Sequence, residues 1–160
     1  MERRVALFLT AAAVLWAAAI FSAPIVHAHH LGGLFPDLGG LFPDAIRMIG
    51  ALVCHQRVDR SFILAGESMP VCARCTGIYL SGALGALAAW LTVPSMPRQT
   101  RALILAAAMP TIATLAVEWT GLVQPGNVVR VLAALPVGAA CGWIFVRLLR
   151  AEAAPCVIIS

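Results

Sequence analysis

Residues 54–79 read CHQRVDRSFILAGESMPVCARCTGIY and run straight into a long apolar segment. The stretch holds three of the chain's five cysteines, Cys54, Cys72 and Cys75, together with Arg57, Asp59, Arg60, Glu67 and Arg74. Charges and soft ligands are costly at the mouth of a membrane helix. Their presence there points to chemistry or to a bound metal.

The composition fits a membrane chain. Of 160 residues, 61% are hydrophobic and 11% charged, and the mean hydropathy is +0.93. Soluble domains carry about 25% charged residues, so this chain has too little polar surface to face water all round. The formal charge of +4 comes from eleven cationic residues, all arginine. They flank the apolar runs and form no basic patch with interleaved aromatics, which argues against nucleic acid as a partner and leaves the lipid bilayer as the expected one.

Four apolar runs, about 5–26, 76–93, 102–123 and 128–149, approach the roughly 20 residues that a helix needs to cross a bilayer. Open strands cannot satisfy their backbone in lipid, so the runs are expected to be helices. The chain is read as all-α: an integral membrane bundle of about four transmembrane helices with a short outward-facing helix and loop segment. Residues 1–26 form an N-terminal anchor, 27–75 the outer segment, 76–150 a three-span bundle and 151–160 a tail. A cleaved signal peptide is the rival reading of residues 1–26. Small residues recur four apart at Gly77, Ser81, Gly85 and Ala89, and again at Gly138 and Gly142. That spacing admits close helix approach, although a glycine- and alanine-rich chain also produces it by chance. Arg3, Arg4, Arg98, Arg101, Arg147 and Arg150 fall on one side if both termini are cytoplasmic. The cysteine cluster then lies on the outer face of a cell membrane.

In the outer segment, residues 31–44 are two identical heptads, LGGLFPD LGGLFPD, expected to form turns. Leu34, Phe35, Leu41 and Phe42 are placed to dip into the interface. Asp44 is a suitable N-cap for a helix over about 45–55 that would deliver Cys54 and His55 at its end. Pro70 breaks the chain again before Cys72.

Three readings of the cysteines stay open. The leading one is a metal site of Cys54, Cys72 and Cys75 with His55 as fourth ligand. Two intervening residues let both sulfurs of Cys72-x-x-Cys75 reach one ion, and zinc is the first choice, ahead of iron or copper. His27, His29, His30 or a water are the substitutes for His55, and a water would open the site to catalysis. The second reading is thiol–disulfide exchange by Cys72 and Cys75 as catalytic residues, because a helix N-terminus and Arg74 lower a thiol pKa. The third is a plain structural disulfide, awkward with three cysteines. Whether the chain is an enzyme is left open. Cys141 is expected to be buried in the last span as a small apolar residue.

Inside the bundle, Glu118 and Arg130 lie near the outer ends of adjacent spans and are expected to pair, since an unpaired charge in lipid costs about 2.5–3.5 kcal/mol. With Asn127 they would form a polar floor under the cysteines. Arg57, Arg60, Ser61 and Arg74 would provide an anion-binding or polar rim, the alternative being a solvated loop face.

The order Cys54-His55-Gln56, Arg60-Ser61-Phe62, Gly66, Pro70, then Cys72-Ala73-Arg74-Cys75-Thr76-Gly77-Ile78-Tyr79 resembles a widespread prokaryotic family of predicted membrane proteins grouped as a domain of unknown function. The resemblance covers about residues 45–143, with a weaker echo at Asn127 and Arg130. Where that family tends to Asp-Gly, this chain has Glu118-Trp119. The resemblance implies a small multi-span membrane protein and no particular activity. With its Cys-x-x-Cys at the start of a span, the chain also looks like the quinone-linked disulfide-forming enzymes of bacterial membranes, but it lacks their second outer cysteine pair.

Overall fold

The computed structural model describes residues 2–28, 36–92, 100–121 and 123–152. His29, His30, Leu34, Phe35, Arg98 and the 153–160 tail lie outside the described residues. Five helices dominate the described residues: α1 Glu2–Ala28, α2 Pro36–Ala51, α3 Ala73–Trp90, α4 Thr100–Thr120 and α5 Asn127–Glu152. Between α2 and α3 lie a single 3-10 turn, Val58–Arg60, and a hairpin of β1 Ile63–Leu64 with β2 Glu67–Ser68.

Burial in this bundle is inverted relative to a water-soluble protein. Small residues fill the inside, including Ala6, Ala83, Ala86, Ala89 and Ala134, while Phe8, Leu15, Leu105, Met109 and Phe145 are exposed. Large apolar side chains facing outward over whole helices suit a lipid surround, where burying them gains nothing and close backbone packing holds helices together. Among the described helices, α1, α4 and residues 127–151 of α5 are long and apolar enough to cross a membrane. The remaining expected span corresponds to α3, whose Arg74, Thr76, Tyr79 and Ser81 lower its apolar content. Its 18 residues reach about 27 Å at 1.5 Å per residue, close to the roughly 30 Å of a hydrocarbon core.

Helix α3 packs most closely on α5, and its glycines explain why. A Cβ on Gly77 would stand 2.7 Å from the Val131 carbonyl oxygen; on Gly85 it would fall on the Ala139 carbonyl oxygen. From the other side, a Cβ on Gly142 would fall on the Gly82 carbonyl oxygen, and one on Gly138 on the Ser81 hydroxyl. The small-residue spacing is therefore the α3–α5 interface. The pairs 77 with 131 and 85 with 139 run the same way along both helices, so α3 and α5 are parallel. Thr111 of α4 donates to the Ala133 carbonyl of α5 at 2.8 Å, and Trp90 of α3 donates to Thr10 of α1 at 3.0 Å. With the Glu118–Arg130 contact at 2.7 Å and the Trp16–Tyr79 ring contact at 5.9 Å, those links make α4 antiparallel to α5 and α1 antiparallel to α3. One end of the bundle therefore gathers Arg3, Arg4, Arg101, Arg147 and Arg150; the other gathers residues 54–75, Glu118 and Arg130. At the arginine end, Arg147 stacks over Trp143 at 4.2 Å and Arg150 over Trp90 at 4.8 Å.

Helix α2 begins at Pro36, earlier than the expected start after Asp44, and Pro43 lies inside it. Proline fits the first helical position because its missing N–H is unpaired there in any case. Burial of Pro43 against the fold outweighs the hydrogen bond lost inside the helix. Helix α4 stops at Thr120, short of the expected 123, because Gly121 takes a left-handed φ of +71°, the usual helix-ending residue. Cys141, expected to be buried, is exposed, because α5 turns Gly138 and Gly142 toward α3.

A candidate cysteine and arginine centre

The three cysteines are brought together by two chain breaks. After α2 ends at Ala51, the Cys54 amide donates to the Gly50 carbonyl at 2.9 Å, a tight turn that directs Cys54 inward. Cys54 is buried in an apolar cluster with Ile20, Ile46, Met69 and Val71. Pro70 then interrupts the returning strand, leaving Cys72 as N-cap of α3. Cys75 lies three residues on, so both sulfurs sit at the first turn of one helix. The sulfurs of Cys54, Cys72 and Cys75 all lie within 4.8 Å of one another.

Cys54 Sγ accepts the Cys72 amide at 3.1 Å and the Gln56 amide at 3.5 Å. The Cys75 thiol hydrogen bond holds the Cys72 thiol far below its ordinary value, at about 5, against the opposing effect of burial. The Cys75 amide, the Cys54 side chain and the Arg74 amide add to that lowering, although Cys72 makes no full capping hydrogen bond.

Gln56 is the residue whose role sequence reasoning missed. Its φ is +48°, which turns its side chain back between the two cysteine-bearing segments. There Nε2 donates to the Arg47 carbonyl at 2.6 Å and to the Pro70 carbonyl at 2.7 Å. Gly50 makes room for this clamp: a Cβ there would stand 2.7 Å from the Pro70 oxygen and 2.8 Å from Gln56 Nε2. The hairpin between the segments closes on Ala65 and Gly66, at φ +54° and +86°, the pattern of a tight turn with both central residues left-handed. Arg47 ties α2 to that hairpin by donating to the Ser68 carbonyl at 2.9 Å.

A cavity of about 320 Å³ opens beside the sulfurs, lined by Cys54, Cys72 and Cys75 and by Arg57, Arg60, Arg74 and Arg130. His55 lines the same cavity but stands outside the close sulfur set. Glu118 meets three guanidiniums: Arg130 Nε at 2.7 Å, Arg74 Nη2 at 3.1 Å and Arg60 Nη1 at 3.6 Å. Asn127 braces the group by accepting from Arg130 at 2.9 Å and donating to the Ser61 carbonyl at 2.9 Å. Arg57 pairs with Asp59 at 3.1 Å, and that hydrogen bond holds the Asp59 carboxyl below its usual range.

Two expected site residues take other roles. The Ser61 hydroxyl donates to the Arg57 carbonyl at 2.9 Å, closing the 3-10 turn rather than facing the cavity. His27 lies 3.9 Å from Glu67 at the end of α1, outside the sulfur cluster.

Lipid-facing helices with a sulfur and arginine cavity at one end define a small polytopic membrane protein with a polar terminal site. The chain belongs to the family described as predicted membrane protein (DUF2085), whose model matches residues 54–144. An uncharacterised protein of Methanothermobacter thermautotrophicus is 35% identical over 86 residues, covering 54% of this chain and 78% of that one. An uncharacterised protein of Methanocaldococcus jannaschii is 51% identical over 35 residues, 22% of either chain. No solved structure matches.

Proposed function

We propose that the chain is a membrane metal-binding protein holding one thiophilic divalent ion, zinc first, between Cys54, Cys72 and Cys75. The observation that carries this reading is the mutual approach of the three sulfurs to within 4.8 Å. Three sulfurs about 2.3 Å from one tetrahedral ion lie roughly 3.8 Å apart, so closing by about 1 Å forms the set. Cys54 already receives two N–H donors, and such partners orient a ligand and tune its basicity. Three protein ligands leave one position for a water, a substrate or His55, the arrangement of zinc sites that do chemistry rather than only hold a fold. Asp44, Asp59, Glu67 and Glu118 offset Arg47, Arg57, Arg60, Arg74 and Arg130 at the cysteine end. The less balanced end, with Arg3, Arg4, Arg101, Arg147 and Arg150, is therefore assigned to the cytoplasm by the positive-inside bias, and the cysteines to the outer face. Elemental analysis of detergent-purified protein tests the metal directly: about one ion per chain is expected, and its loss in Cys72→Ser. Metal-free native protein ends this reading.

The lowered thiol of Cys72 favours a second reading, thiol–disulfide exchange. The Cys72 thiolate would attack a partner's disulfide, forming a mixed disulfide and releasing one partner thiolate; the Cys75 thiolate would then attack the Cys72 sulfur and expel the second partner thiolate. The partner gains two electrons as two thiols while Cys72 and Cys75 become a disulfide. A reversible Cys72–Cys75 couple on thiol trapping in intact cells is the expected sign, and an inert thiol state overturns it.

A further inference from the structure

Three arginines and one carboxylate are an unbalanced set. The side chains of Arg130, Arg74 and Arg60 are 7%, 14% and 32% exposed, and the Glu118 they share is 4% exposed. Buried charges are costly unless paired, and Glu118 offsets only one of the three. Asp59 is taken by Arg57 at 3.1 Å, reaching Arg60 only at 3.8 Å. Even if the sulfur cluster counts as one negative charge, as three thiolates around a divalent ion would, one positive charge remains. The Nε atoms of Arg60 and Arg74 are buried and make no hydrogen bond among the described residues. Donors and charge are thus both in excess, beside a cavity of about 320 Å³.

We propose that this cavity is an oxyanion site, taking a phosphate-class anion on Arg57, Arg60, Arg74 and Arg130 beside the three sulfurs. Planar guanidinium forks match tetrahedral oxyanions, offering paired N–H donors that a single-point cation lacks. Access is also provided. Arg57, Arg60 and Arg130 line a second cavity of about 510 Å³, which reaches Gln124 and Pro125 in the α4–α5 turn. The anion is either free in solution or the headgroup of an acidic phospholipid, since the site lies at the end of the bundle. The inference rests on the arginines and not on the metal reading.

The test is calorimetric titration of inorganic phosphate into the detergent-solubilised full chain, with phosphatidic acid against phosphatidylcholine nanodiscs run in parallel. Saturable phosphate binding near one per chain identifies a free oxyanion. Binding of phosphatidic acid alone identifies a headgroup. Arg60→Gln is expected to weaken either by about tenfold. Arg57→Gln, at the exposed rim and away from Glu118, is expected to weaken it too with the fold intact. Absence of saturable binding of both probes, or unchanged affinity in both variants, overturns the proposal. Metal content of the same samples keeps the two readings separate: phosphate bound to metal-free native protein supports the anion site while ending the metal centre.

Discussion

The Cys72 amide donates to the Cys54 sulfur at 3.1 Å, joining two residues 18 positions apart at the mouth of α3. That contact fixes one cysteine of the pair against the lone one. It makes the sulfur cluster a property of the fold rather than of the Cys-x-x-Cys motif alone. A Cys54→Ala variant removes the acceptor and is expected to release the residue 70–72 segment, seen as faster amide exchange at Cys72. Unchanged exchange would show that the contact holds nothing.

Gln56 is expected to act through the cysteines it positions. Partners that orient metal ligands typically contribute 10–100-fold in affinity. Gln56→Ala should therefore weaken zinc binding by about tenfold or more in a competition titration, with helical content retained. Gln56→Glu lacks the donor pair and should behave like the alanine variant.

Glu118→Gln leaves three arginines around a neutral side chain. Breaking a buried ion pair by removing one partner costs about 3–5 kcal/mol, so a marked fall in thermal stability in detergent is expected. A variant as stable as the native chain would show that solvent or lipid, not Glu118, neutralises Arg74 and Arg130.

The α3–α5 contact gives a paired prediction. Gly82→Ala meets only the Gly138 carbonyl oxygen at 3.6 Å, an ordinary contact, and should change stability by less than about 0.5 kcal/mol. Gly142→Ala places its Cβ on the Gly82 carbonyl oxygen and should cost about 1–3 kcal/mol through overpacking. Equal behaviour of the two variants would contradict the close approach of Gly142 to the Gly82 carbonyl.

For Cys72, the sign is that of an acid made stronger: its thiolate persists as pH falls, down to about 5. In chelator-treated protein, iodoacetamide alkylation of Cys72 should follow a midpoint near that value. An unperturbed thiol would titrate near 8.5, and a midpoint there would remove the basis of the redox reading.

What the sequence revealed and what it hid divide along physical lines. Helices were legible because lipid permits few other spanning structures, and the Cys-x-x-Cys pair because local spacing alone sets its geometry. The start of α2 was hidden by Phe-Pro-Asp units that read as turns; Pro36 instead begins a helix and Pro43 is buried within it. Gln56 entered only as a signature residue and its role was hidden, since that role comes from a left-handed backbone and two carbonyls distant in sequence. Ser61 looked like an anion ligand from its arginine neighbours, yet its hydroxyl is used locally at the Arg57 carbonyl. The α3–α5 glycines could be recognised by spacing but not distinguished from chance without knowing what each one meets.

One ion held jointly by Cys54, Cys72 and Cys75 has a defined coordination shell. X-ray absorption at the metal edge of the purified membrane protein reads that shell. The expected first shell holds three sulfurs at about 2.3 Å and one lighter atom. A shell of nitrogen and oxygen alone, or protein that carries no metal, would contradict it.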